Sequence, residues 1–122
     1  MLKISLMAAL CLGSVSALAQ ASNYECLNGN YVYEISVKSD GSASATIADP
    51  HLGQAPSSQG NCFNASLANS VAVSCTSSSG TWTVLIDKAS GNYSETSTNS
   101  TGKVFYTGAH TAGTPDDGCT LK

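Results

Sequence analysis

The sequence predicts an all-β fold, a small antiparallel β-barrel or sandwich of six to eight short strands held by two disulfides. Apolar and polar residues alternate at period two in several segments, and no segment sustains the 3.6-residue apolar period of a helix. Turn-forming Gly, Asn, Asp and Ser recur between these segments, at intervals of about 8–12 residues. Four cysteines follow the predicted signal peptide, and an even number in an exported chain indicates disulfides.

The N-terminal segment has the pattern of a secretory signal peptide. Lys3 gives a positive start, an apolar run follows, and Ala17-Leu18-Ala19 supplies a small-x-small cleavage site. The apolar run is shorter than the roughly 20 residues that a membrane span needs, although an uncleaved anchor is the alternative. We therefore expect residues 1–19 to be a signal peptide and residues 20–122 to be one secreted or periplasmic domain without a membrane span.

Four cysteines follow the predicted signal peptide: Cys26, Cys62, Cys75 and Cys119. An even number in an exported chain indicates two disulfides, for which three connectivities exist. We favour Cys62–Cys75, which closes a short loop, and Cys26–Cys119, which ties the first strand to the C-terminal end. No Cys-x-x-Cys spacing occurs and neither histidine is near a cysteine in sequence, so zinc and other cofactors are not expected.

The first half of the domain contains one clear hairpin. Residues 31–38 alternate as a strand, Asp40-Gly41 predicts a tight turn, and residues 43–47 return with small apolar side chains on one face. Gly and Pro punctuate residues 49–61, which we expect to form a loop. Residues 62–70 are compatible with either a strand or a helical turn.

The second half predicts a meander of sequential hairpins. Strands are expected over residues 71–75, 81–87, 93–98 and 103–107, with Gly-containing turns between them. A loop over residues 108–118 then leads to a short terminal pairing at 119–121.

Aromatic residues divide between the predicted core and the predicted surface. Trp82, Tyr31 and Tyr33 alternate in phase with aliphatic residues, which favours burial. Tyr93 is beside a turn and among polar residues, so we expect it on the surface, where it could contact a partner.

The charge balance argues against some classes of partner. Residues 20–122 contain four lysines, no arginine and eight acidic residues, for a net charge of −4. Phosphate backbones and anionic membranes require clustered Lys and Arg, so neither is an expected partner. A basic protein partner suits this charge better.

The sequence contains no catalytic signature. His51 and His110 could be combined on paper with a serine and with Asp49, Asp116 or Asp117, but no nucleophile elbow surrounds any serine. The Asp116-Asp117-Gly118 segment is more typical of a turn than of a calcium loop. Glu34 and Glu95 are expected on the outward or polar faces of different strands, which gives no paired carboxylates for glycoside hydrolysis. We therefore expect a non-enzymatic domain.

Two segments resemble a known family. Tyr24-Glu25-Cys26-Leu27-Asn28-Gly29, followed by a strand and an Ala-rich return strand, resembles the start of the periplasmic or membrane-bound inhibitors of c-type lysozyme. The closing Pro115-Asp116-Asp117-Gly118-Cys119 is also similar. The resemblance implies a small antiparallel β-barrel and the pairing of Cys26 with Cys119.

The resemblance also implies a binding surface. The family inserts a Ser-Gly-x-x-Tyr loop into the lysozyme cleft, and Ser90-Gly91-Asn92-Tyr93 is one residue shorter than that motif. The family's later Trp-x-Lys-Gly motif corresponds to Phe105-Tyr106-Thr107-Gly108, which has Thr107 in the lysine position and Lys103 nearby. Ser90, Gly91, Tyr93 and Lys103 are therefore the expected partner-binding residues.

Three functions follow from these observations as hypotheses. The first is a protein-binding inhibitor of a basic secreted hydrolase such as lysozyme. The second is a structural or surface-interaction protein of the envelope or extracellular space. The third, a small hydrolase, has no positive signal in the sequence.

Overall fold

Residues 20–29, 31–53 and 55–122 are described by a computed structural model, and the predicted signal peptide lies outside this part of the chain. The described residues form ten strands and no helix, so they include no helix capable of crossing a membrane. The strands are β1 (Ala21–Asn28), β2 (Tyr31–Lys38), β3 (Ser42–Ala48), β4 (Ser57–Ser58), β5 (Asn61–Asn64), β6 (Ser70–Ser77), β7 (Gly80–Asp87), β8 (Tyr93–Asn99), β9 (Val104–His110) and β10 (Asp117–Leu121).

The strands form one antiparallel sheet that curls into a nearly closed barrel. Its order is β10-β1-β2-β3-β5-β6-β7-β8-β9, and the short β4 pairs with β3. The predicted all-β fold is confirmed, with slightly more strands than expected. The two edge strands, β9 and β10, approach each other along a line that we call the seam, where His110 of β9 contacts Asp117 of β10.

Period-two alternation accounts for the strands that form the barrel wall. In β2, Tyr33, Ile35 and Val37 are buried, and the residues between them are more exposed. The strands β6 and β7 follow the same pattern. Because every second side chain points inward, the core fills the interior of the barrel, and each fully buried aliphatic contributes about 1.5–3 kcal/mol.

Both disulfides are cross-strand bonds. Cys26 and Cys119 are directly opposite each other in the pairing of β1 with β10, and Cys62 and Cys75 are opposite in the pairing of β5 with β6. The favoured connectivity is confirmed. The first bond joins β1 to the strand at the seam, so it helps to hold the barrel closed.

Three local expectations differ from the structure. The predicted loop over 49–61 includes β4, and β9 extends to His110 within the predicted loop over 108–118. Tyr31, expected in the core, is 43% exposed. It is the first residue of β2 and pairs with Asn28, the last residue of β1. Its side chain is on the inward side of β2 but lies at the open rim of the barrel.

Candidate functional site

An ionisable side chain is buried inside the barrel. Glu95, on β8, is only 2% exposed, so the expectation that it faces outward is wrong. It pairs with Val84 of β7 and with Gly108 of β9, and its side chain points into the barrel, as that of Tyr93 does. A carboxylate in this position requires hydrogen-bond partners, because burying an unpaired charge is very costly.

Four groups surround the Glu95 carboxylate. The Tyr33 hydroxyl and the Trp82 indole N–H donate to Oε1 at 2.8 and 2.9 Å. The Asn28 amide donates to Oε2 at 2.8 Å, and His110 Nε2 lies 2.8 Å from the same oxygen. These partners come from β1, β2, β7 and β9, so Glu95 connects strands from both sides of the seam.

His110 extends this cluster across the seam. Its Nδ1 lies 2.9 Å from Asp117 Oδ1, and its ring stacks on Tyr93 with centroids 4.3 Å apart. The imidazolium form donates to both carboxylates at once, whereas either neutral tautomer donates to only one. Gly108 leaves space for the ring, because a Cβ there would be 2.9 Å from His110 Nε2 and 2.5 Å from the Tyr106 hydroxyl oxygen.

Two tyrosines beside Glu95 are held in their neutral form. Burial, and then the hydrogen bond to the Glu95 carboxylate, raise the pKa of Tyr33 well above the ordinary tyrosine value. Burial, and then the charge of Glu95, raise the pKa of Tyr93 in the same direction. Both hydroxyls therefore remain donors, Tyr33 to Glu95 and Tyr93 to the Leu27 carbonyl at 2.7 Å.

The cluster is arranged to hold the seam together rather than to activate a nucleophile. Both ring nitrogens of His110 face carboxylates, so neither is directed at a serine hydroxyl, as a triad requires. Both oxygens of Glu95 already accept hydrogen bonds, and its side chain is 1% exposed. Within residues 20–29, 31–53 and 55–122, no group of three or more potential ligand side chains could hold a metal ion.

The structure separates the predicted partner-binding residues. Ser90 is exposed and donates to Asp87 Oδ2 at 2.7 Å, and the Gly91 carbonyl accepts from the Cys119 amide at 2.7 Å. Tyr93 is 3% exposed, so its predicted surface position is wrong: the ring fills the space beside His110 instead. Lys103 follows the opposite end of β8, which at seven residues is about 20 Å long.

An exposed apolar strand edge was not anticipated from the sequence. Val104, Phe105 and Tyr106 are 52%, 66% and 39% exposed, and we call these three residues the β9 edge. The backbone ladder of β9 is with β8 alone among the strands described. Three consecutive apolar residues in a strand break the period-two pattern. This break was the signal in the sequence that apolar side chains lie on both faces of β9, the outward face included.

No family model, curated protein or solved structure matches this chain. The likeness to lysozyme inhibitors therefore stays a prediction from the sequence motifs.

Proposed function

We propose that this chain is a secreted or periplasmic protein-binding domain that acts on a basic secreted hydrolase, with c-type lysozyme as the first candidate. The observation that carries the proposal is the β9 edge. The two disulfides are compatible with an extracellular or periplasmic location, because such bonds persist in oxidising compartments.

An unpaired strand edge offers a direct way to bind a protein. Its free N–H and C=O groups can pair with an extended segment of a partner, while neighbouring side chains provide selectivity. Exposed edge strands of β-sheets are usually protected by charged residues or proline, yet Val104, Phe105 and Tyr106 provide neither. The domain's net charge of −4 favours encounter with a basic partner.

The β9 edge also coincides with one of the two family-like motifs. Phe105-Tyr106-Thr107-Gly108 lies on the exposed strand, whereas Tyr93 of the other motif is buried and hydrogen-bonded to Leu27. The proposal therefore assigns the main contact to Phe105. Ser90, which is exposed on the turn before β8, is a second position to test.

The test is inhibition of c-type lysozyme by the oxidised protein and by two matched variants. Phe105→Lys places a charge on the β9 edge, and Phe63→Lys makes the same change on β5, where Phe63 is 59% exposed. Loss of a central aromatic contact should weaken inhibition about tenfold or more, whereas Phe63→Lys should change it less than about twofold. Ser90→Ala then measures the contribution of the turn.

Equal losses in the two phenylalanine variants would remove the β9 edge from the proposal. Absence of binding to lysozyme and to other basic secreted hydrolases would contradict the proposal itself. The structural or surface-interaction role would then be favoured.

A further inference from the structure

One end of the barrel opens into a cavity that the proposed protein contact does not use. The cavity has a volume of about 490 Å³ and lies at the end where β2 turns into β3 and β7 turns toward β8. Lys38 and Lys88 line it, and we call it the lysine mouth. A volume of this size, in the mouth of a β-barrel, is typical of small-ligand sites.

The lysine mouth reverses the sign of charge found over the rest of the domain. It holds two of the four lysines of residues 20–122, in a domain with a net charge of −4. In the described part of the chain, the one lysine in an ion pair is Lys122, whose Nζ is 3.6 Å from Glu25 Oε1. Lys38 and Lys88 are therefore available to an anionic ligand.

Asp40, two residues after Lys38 in the sequence, forms its hydrogen bonds elsewhere. The Asp40 carboxylate accepts hydrogen bonds from the Ser42 hydroxyl at 2.6 Å and the Ser42 amide at 2.9 Å. These bonds, and to a smaller extent the charge of Lys38, lower the pKa of Asp40. Asp40 thus forms its hydrogen bonds within its own turn and makes no ion pair with Lys38.

Hydroxyl groups and an apolar floor complete the lining. The Ser39 hydroxyl oxygen accepts from the backbone N–H of Gln20, which leaves its O–H free to donate. The Ser66 hydroxyl donates to Asn64 Oδ1, which leaves its lone pairs free to accept. Tyr24 forms part of the floor. Donors, acceptors and apolar side chains in one cavity match the hydroxyls and the apolar face of a sugar ring.

We propose that the lysine mouth binds an acidic saccharide. The ammonium groups of Lys38 and Lys88 interact with its carboxylate, and Ser39 and Ser66 interact with its ring hydroxyls. This site is remote from the β9 edge and does not depend on the proposed hydrolase partner.

The test is a titration of the oxidised, isotope-labelled protein with D-glucuronate, followed by backbone amide chemical shifts. Saturable shifts are expected in residues 38–41, 64–67 and 88, with little response to D-glucose or acetate. Lys38→Gln/Lys88→Gln should weaken binding about tenfold or more, because two charge-assisted hydrogen bonds are lost. The matched variant Lys103→Gln/Lys122→Gln has the same net charge and should bind within about twofold of the original protein.

Several results would overturn this assignment. Equal shifts with D-glucose would show that the lysines play no part, and equal shifts with acetate would show a simple anion site. Equal weakening in both double variants would show an effect of net charge alone. A glucuronate titration without localised shifts would exclude the site.

Discussion

Glu95 is the residue on which most of the interior polar contacts converge. An ion in a protein interior loses several kcal/mol of hydration, which its partners must offset. Here the lost hydration is offset by hydrogen bonds from four residues together: Asn28, Tyr33, Trp82 and His110. No buried side-chain nitrogen or oxygen in the described residues lacks a partner, so removal of Glu95 would leave several donors unsatisfied at once.

We predict that Glu95→Ala lowers the free energy of unfolding by about 3–5 kcal/mol, because Asn28, Tyr33 and Trp82 would lose their buried acceptor at about 1–3 kcal/mol each. Glu34→Ala removes the exposed carboxylate of β2 and should change the free energy of unfolding by less than about 0.5 kcal/mol. Denaturant unfolding of the oxidised proteins measures both values. A cost below about 1 kcal/mol for Glu95→Ala would contradict the structural role assigned to the cluster.

The position of Glu95 could not be predicted from its own surroundings in sequence. Serines and threonines flank it, which indicated a polar strand. Its burial depends on donors 67 and 62 positions away, Asn28 and Tyr33, and a local pattern contains no information about them. Tyr93, two residues before Glu95, is on the same face of β8 and was the one local clue. The turn beside Tyr93 obscured this clue, because it favoured a surface position for the tyrosine.

At the level of elements, β9 has two different halves. Its first half contains the β9 edge. Its second half contains His110, whose ring nitrogens contact Glu95 and Asp117. Gly108 lies between the halves and admits the Tyr106 hydroxyl and the His110 ring where a Cβ would crowd both.

Gly108→Ala should therefore displace His110 and destabilise the barrel by about 1–3 kcal/mol, the usual cost of overpacking. The imidazole resonances of His110 should shift at the same time. Thr107→Ala changes the neighbouring exposed residue and should leave both the resonances and the stability nearly unchanged. An unchanged His110 spectrum in Gly108→Ala would show that the ring does not need this space.

Strands with a complete alternating pattern were predictable, and strands defined by their neighbours were not. The strands β2, β6 and β7 follow from their inward aliphatic and aromatic residues. By contrast, β4 is two residues long and exists because β3 extends beside it. The end of β9 was assigned to a loop because Gly108 and His110 provide no apolar alternation, although pairing with β8 continues there.

At the scale of the whole molecule, different interactions close the barrel at different places. A continuous backbone ladder runs from β10 through β1 to β9. Across the seam, the contacts include those of His110 with Asp117, of Glu95 with Asn28 and Tyr33, and of the Cys119 amide with the Gly91 carbonyl. The disulfide Cys26–Cys119 holds β10 to β1, so it also fixes the position of Asp117.

The two disulfides should contribute unequally to stability. Their sequence separations are 93 and 13 residues, for which loop-closure entropy gives about 4.6 and 3 kcal/mol. Cys26→Ala/Cys119→Ala should therefore cost about 1.5 kcal/mol more than Cys62→Ala/Cys75→Ala. Cys26 and Cys75 are fully buried and Cys119 is more buried than Cys62, so cavity formation acts in the same direction as loop closure. Denaturant unfolding decides the order, and a larger loss in Cys62→Ala/Cys75→Ala would contradict it.

The pairing of β1 with β10 also determines when the barrel can close during synthesis of the chain. At about 5–20 residues per second, a ribosome needs roughly 5–20 s to proceed from Cys26 to Cys119, which are 93 positions apart. Throughout that interval β1 lacks one of its two neighbours, because β10, which pairs with the segment containing Tyr24 and Cys26, has not yet been synthesised. Hairpins such as β6–β7 need only residues that are close in sequence, but the barrel cannot close until β10, the last strand to be synthesised, is present.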